Sequence, residues 1–154
     1  MKKWLFSMVL VTIFALCSIG YAQEVYDAAE QNYAQKLLEL VNGERAKVGR
    51  TPLFLAEELL LGAATRAEEL AKKFSHVRPN GTYGYTIISN PKGGTVAELI
   101  AAGQKSPEEA LAYWLKDPDY SISIHDAWIH ELGVGYYYKQ KSKAKHYWVL
   151  LVRD

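Results

Sequence analysis

His76 lies in the segment Phe74-Ser75-His76-Val77-Arg78-Pro79-Asn80-Gly81, between a long amphipathic stretch and a Pro-Asn-Gly turn. A helix end and a turn both restrict the backbone. The imidazole is therefore held where it could act as a general base or a metal ligand near neutral pH. Further along come Glu98, Asp117, Tyr120 and Glu131. Glu98 stands among Val96, Ala97, Leu99, Ile100 and Ala101. A carboxylate in an apolar run needs a partner, because burying it alone is costly. His76 and Glu98 are thus the candidate acid/base pair. Asp117 ends a helical stretch, Tyr120 offers a phenolic hydroxyl, and Glu131 precedes a strand, where it either faces the same cleft or caps a loop. Each of these residues also has a purely structural reading, holding the fold rather than doing chemistry.

Other chemistries fare worse. Zinc sites use three or four nitrogen, sulfur or oxygen ligands. Here His76, Glu98 and Asp117 are on offer, with His125 a weaker candidate. There is no His-Glu-x-x-His and no cysteine pair. No resident cofactor is expected, and weak binding of a divalent ion such as zinc is the most this set supports. No Gly-x-Ser-x-Gly accompanies Ser75 and His76, so a serine triad is unsupported. A glycosidase pair of Glu98 and Glu131 turns on their separation. His130 and His146 flank strands and fit surface or strand-end positions.

The elements that must position these residues start after a leader. Met1-Lys2-Lys3 is basic, Trp4 to Gly20 is mostly apolar, and Gly20-Tyr21-Ala22 puts small residues at the −3 and −1 positions. That pattern is a secretory signal peptide over residues 1–22, cleaved after Ala22, with a retained anchor as the alternative. Cys17 is the only cysteine. Leu16 before it argues against lipidation, and removal of the leader leaves about 130 residues without a disulfide, enough for one packed core. The net charge is +1, or −1 once Lys2 and Lys3 are gone, which gives no electrostatic case for nucleic acid. The cluster Lys139, Lys141, Lys143 and Lys145 fits a solvated hairpin loop.

Residues 23–32 are a polar lead-in, and 33–154 are the expected domain. Ala34, Leu37, Leu38, Val41 and Val48 recur at helical spacing up to Gly49. Thr51-Pro52-Leu53 is a short extended crossing. A second helix is predicted from about Ala56 to Lys73, with an alanine-rich apolar face. Thr82 to Lys92 is ambiguous between strand and turn. Val96 to Ala102 is predicted as a short helix ending at Gly103. Ser106-Pro107-Glu108-Glu109 is a capping box opening another helix that stops at Asp117-Pro118. Leu132 to Tyr138 and His146 to Val152 are strands, joined as an antiparallel hairpin. Helices first and strands last predict an α+β fold with a small antiparallel sheet covered by helices.

Leu40-Val41-Asn42 with Glu44-Arg45, and Phe74-Ser75-His76 with Pro79-Asn80-Gly81, resemble bacterial members of the CAP superfamily. This is the group of cysteine-rich secretory proteins, antigen 5 and pathogenesis-related 1 proteins, also called SCP-like extracellular proteins. Ala97-Glu98-Leu99-Ile100-Ala101 is similar to the family's Gly-Glu-Asn-Ile-Ala segment. Ser106-Pro107-Glu108-Glu109 with Trp114, Glu131-Leu132-Gly133-Val134-Gly135 and Tyr147-Trp148-Val149 extend the likeness from about Tyr33 to Val152. It implies an α–β–α sandwich. It also implies a cleft of two histidines and two acidic residues, matched here by His76, Glu98 and Asp117. Tyr120 stands where the second histidine is expected, and Leu99 replaces the asparagine, so the implied site is incomplete.

These readings predict a secreted or cell-envelope module, monomeric and non-enzymatic. It would bind a lipid, sterol, cell-wall fragment or protein at a cleft of His76, Glu98, Asp117, Tyr120 and Glu131. The alternative is a metal-assisted or acid/base hydrolase of peptide or cell-wall substrates using His76 and Glu98.

Overall fold

The computed structural model describes residues 32–88 and 94–154. The signal-peptide and lead-in readings over residues 1–31 and the segment 89–93 lie outside the described residues. All packing below lies within the compact unit Tyr33–Asp154. Helix α1 covers residues 32–47. Strand β1 is Phe54–Leu55, and α2 is Glu57–Leu70. A short 3-10 helix at Gly84–Ile87 precedes β2, Val96–Ala102. Helices α3, Pro107–Lys116, and α4, Pro118–His125, then lead to β3, Glu131–Tyr138, and β4, His146–Arg153.

The four strands form one sheet in the order β1-β3-β4-β2. The β3–β4 and β4–β2 pairs are antiparallel, while β1 runs parallel to β3. The expected hairpin is present, with Lys139 to Lys145 as its loop and the Lys139 Nζ donating to the Ala71 carbonyl at 2.9 Å. The chain does not place all its helices before its strands. Strands and helices interleave, and the sheet is antiparallel except at the β1 edge.

Side-chain alternation sorts the sheet into two faces. Leu99, Ala101, Leu132, Val134, Trp148, Leu150 and Val152 pack against Leu37 and Val41 of α1, Leu111 and Trp114 of α3, and Ile124 of α4. Ile100, Tyr147, Val149 and Leu151 pack against Leu59, Ala63, Ala67 and Leu70 of α2. Helices thus cover both faces, giving the α–β–α sandwich. Helix α2 sits close on β3 because Gly133 and Gly135 face it: a Cβ at either would overlap the helix backbone at Leu59 or Ala63.

One prediction fails outright. Val96–Ala102 is a strand, not a helix. Its alanines, leucine and glutamate favour helix locally, but all seven residues pair in register with β4, from Val96 opposite Arg153 to Ala102 opposite Tyr147. Tertiary pairing outweighs propensity here. Helix α4 is an element the sequence reading left out. Asp117 closes α3 with its backbone N–H, which donates to the Trp114 carbonyl, and caps α4 with its side chain, so the Asp-Pro break is a corner between two helices. The Ser106 cap holds as predicted, its Oγ accepting the Glu109 N–H at 3.3 Å. The Glu109 carboxylate reaches one residue further back than a capping box requires, to the Lys105 N–H at 2.8 Å.

Arg45, fully buried, ties the two ends of the helical layer together. Its Nε donates to the Thr51 carbonyl at 2.9 Å, and Nη1 donates to the Ile124 and Asp126 carbonyls at 2.7 and 2.8 Å. Burial lowers its pKa, aided by nearby Arg50 and opposed by Asp126. Its hydrogen bonds are all to carbonyl oxygens, which satisfies the charge without an ion pair.

Candidate functional site

Strand β2 is an edge strand, and the two helical layers meet around that edge. Glu98 projects from β2 to the α2 side, sharing that face with Ile100. Its side chain is 3% exposed. Gly84 lies directly against it: a Cβ there would overlap the Glu98 carboxylate. Arg66, fully buried on α2, grips Glu98 with two bonds, Nε to Oε2 at 2.9 Å and Nη2 to Oε1 at 3.0 Å. This fork-on-carboxylate geometry is the strong form of an ion pair. The remaining guanidinium nitrogen, Nη1, donates to Glu69 Oε2 at 2.7 Å, and Nη2 also reaches the Ser75 carbonyl at 3.0 Å. Glu69 in turn accepts from Arg78, with Nη2 at 2.8 Å from Oε1. The loop carrying His76 is therefore fastened to α2 on both sides of the histidine.

Local bonds complete the fastening. The Val77 N–H donates to Ser75 Oγ at 3.0 Å, the Thr82 N–H to Asn80 Oδ1 at 3.0 Å, and the Gly84 N–H to the His76 carbonyl at 2.7 Å. The His76 side chain is 47% exposed. Its Nδ1 lies 3.1 Å from Glu98 Oε1 and its Nε2 lies 2.9 Å from the Tyr120 hydroxyl. Tyr120 arrives from the opposite helical layer. Asp117 places it by capping α4, accepting the Asp119 and Tyr120 N–H groups at 2.9 and 3.3 Å.

Charge follows from this geometry. Burial alone would raise the Glu98 pKa, but hydrogen bonds from His76 and Arg66 and the Arg66 charge outweigh it and hold the carboxyl below its usual range. Glu98 is thus ionised and only accepts hydrogen bonds. The neutral His76 ring must then carry its proton on Nδ1, leaving Nε2 to accept from the Tyr120 O–H. Burial raises the Tyr120 pKa, with Tyr113, Asp117 and Glu98 adding to it and the Ile100 backbone opposing. The phenol stays a neutral donor.

The structure brings together His76, Glu98 and Tyr120, with Asp117 behind Tyr120. It does not bring in Glu131 or His125. Glu131 Oε2 pairs with Arg153, whose Nη1 also holds Glu58 at 2.9 Å, and β4 lies between Glu131 and the Glu98 strand. Each carboxylate has its own arginine, Arg66 for Glu98 and Arg153 for Glu131. His125 sits at the end of α4, its Nδ1 3.4 Å from Ser121 Oγ and its carbonyl accepting from Arg50 Nε at 2.8 Å. It does not replace the missing imidazole. Among the described residues no group of three or more His, Cys, Asp or Glu side chains could hold a metal ion. At His76 both ring nitrogens and both Glu98 oxygens already have protein partners.

The sequence reading missed Arg66, Glu69, Arg78 and Gly84. Arg66 had a signal. It falls on the buried stripe of α2, with Leu59, Gly62, Ala63, Ala67 and Leu70. A charge in that stripe demands a buried partner.

A family model described as the cysteine-rich secretory protein (CAP) family matches residues 38–152. The chain belongs to the CAP family. It is 34% identical over 110 residues to the uncharacterized protein YkwD of Bacillus subtilis, covering 68% of this chain and 42% of that protein. The chain thus spans less than half the length of that curated relative. A Bacillus anthracis extracellular protein with an SCP domain superposes with a TM-score of 0.68 at 21% identity, over 79% of this chain and 40% of that one. An outer surface protein of Borrelia burgdorferi gives 0.65 at 18% identity, over 78% and 90%. A cysteine-rich secretory protein of Staphylococcus aureus gives 0.61 at 17% identity, over 80% and 39%. At these identities the structures establish a shared CAP fold, found here in proteins described as extracellular, outer-surface or secretory.

Proposed function

We propose that this CAP domain is an extracytoplasmic binding module, capturing its ligand at the cleft where His76, Glu98 and Tyr120 meet. The observation that carries this is the closed hydrogen-bond chain Arg66–Glu98–His76–Tyr120, which leaves His76 half exposed yet fixed. A fixed, fully partnered polar group suits recognition, because little ordering remains to oppose binding. Exposed aromatics lie close by, Tyr83 and Tyr85 flanking the Gly84 that packs against Glu98. Their rings stack at 5.7 Å, and Tyr113 lies near Tyr120. Such neighbours favour a ligand with an apolar face and hydrogen-bonding groups, as in a cell-wall fragment, lipid or sterol. Titrating isotope-labelled protein with soluble peptidoglycan fragments, and separately with phosphatidylcholine vesicles, tests this. Amide shifts are expected at His76, Tyr83 and Tyr120 with one of the two. Shifts confined to other surfaces, or none, would count against it.

The second reading is an acid/base hydrolase, favoured by the 3.1 Å approach of His76 Nδ1 to Glu98. A carboxylate orienting an imidazole is a general-base arrangement. For it to work, Tyr120 must leave Nε2. Tyr120→Phe would then raise hydrolysis of peptidoglycan fragments, and no rise, or no hydrolysis at all, removes this reading.

A further inference from the structure

A cavity of about 260 Å³ opens beside the loop after α4, and none of the His76, Glu98 and Tyr120 side chains lines it. Its floor is apolar, with Ala97 of β2 and Val152 of β4. Its rim is polar, with Thr95, Ser123, Asp126 and Asp154. Trp128 stands at this rim 77% exposed, more than any other large apolar side chain among the described residues.

The loop is built to keep Trp128 there. Its N–H donates to Asp126 Oδ1 at 2.8 Å. Buried Arg45 holds the loop from below, through the Asp126 carbonyl at 2.8 Å and the Ile129 carbonyl at 3.5 Å. The clamped backbone beneath the exposed indole needs no further ordering on binding, so that part of the binding cost is already met.

We infer that this cavity is a saccharide site seating one sugar ring against Trp128. A pyranose has an apolar C–H face and an edge of hydroxyls. The indole and the apolar floor suit the face. The edge meets Asp126 and Asp154, which each accept one backbone N–H, from Trp128 and from Thr95 at 2.6 Å. A carboxylate has further lone pairs to accept sugar hydroxyls. Ser123 donates its hydroxyl to the Asp119 carbonyl at 3.0 Å and so presents an acceptor. An acyl chain would bury both carboxylates with one backbone donor each and no partner for their remaining lone pairs, which is costly. A phosphate would face two like charges. The volume lies just under the range of about 300–1,000 Å³ for drug-sized ligands, the scale of one ring with its neighbours outside. This site stands apart from the cleft and does not depend on the reading given for it.

The test uses the full chain with two probes, a trimer of N-acetylglucosamine and a trimer of glucosamine. Iodide quenching of tryptophan emission reports Trp128 by difference from a Trp128→Phe control, which cancels the contribution of Trp4, while Trp114 and Trp148 are fully buried. One or both trimers are expected to protect the exposed component. By calorimetry, Trp128→Ala is expected to weaken binding about tenfold or more, and Asp126→Asn less so. Leu61→Ser, an exposed change on α2, is expected to leave the affinity unaltered. Circular dichroism melts confirm that each variant is folded. The proposal is overturned if neither trimer protects Trp128, or if folded Trp128→Ala binds as wild type does.

Discussion

His76 is half exposed while its partner Glu98 is almost entirely buried, so the carboxylate depends on Arg66 for its charge. Removing one partner of a buried pair is far costlier than the pair's net worth. Arg66→Met is therefore expected to lose about 3–5 kcal/mol in urea unfolding, whereas Tyr120→Phe, at the wet end of the chain, should lose only about 0.5–1.5 kcal/mol. The pH dependence follows from Glu98. Its folded pKa lies below the ordinary carboxyl value of 4.5, so its stabilisation is complete above that value and is lost as pH falls through the lowered one. The urea midpoint should fall as pH drops below about 4.5, and Glu98→Gln should flatten part of that fall. At this scale the sequence was partly legible. His76 and Glu98 stood out by context, and Tyr120 by the resemblance. The partners did not, because Arg66 and Gly84 meet Glu98 only once β2, α2 and the His76 loop converge. Glu131 and His125 were misleading for the same reason: their positions near strand and helix ends say nothing of which arginine or serine they meet.

Between elements, the tightest fit is α2 on β3. Alternation put Leu132 and Val134 in one layer and left Gly133 and Gly135 for the other, where the helix backbone occupies the space of a Cβ. Gly135→Ala is expected to cost about 1–3 kcal/mol or more, since it overpacks against backbone that cannot rotate away. A thermal melt equal to wild type would show that α2 can shift. The long helices and the β3–β4 hairpin were legible because their periodicity spans many residues. Val96–Ala102 was not, since its composition favours helix and only β4, some fifty residues on, supplies the pairing that makes it a strand. Helix α4 was hidden by Pro118, which reads as a stop and serves as a first helical residue.

The molecule as a whole relies on its two-faced core, because a chain with one cysteine forms no internal disulfide. Its melting temperature should be the same with and without reductant, and a drop on reduction would mean that a link between chains contributes. Family and fold were legible in the sequence from the order and spacing of motifs running from Leu40 to Val149. The use of the cleft was not, since Tyr120 stands where the resemblance led one to expect a second histidine. The most direct measurement is the affinity of wild type and His76→Ala/Tyr120→Phe for soluble peptidoglycan fragments and for phosphatidylcholine vesicles, with the fragments analysed afterwards by chromatography. Wild type is expected to bind one of the two, the double variant about tenfold or more weakly, and the fragments to come back uncut. Equal affinity in both proteins, no binding by wild type, or fragments cut by wild type and spared by the variant would contradict a binding cleft.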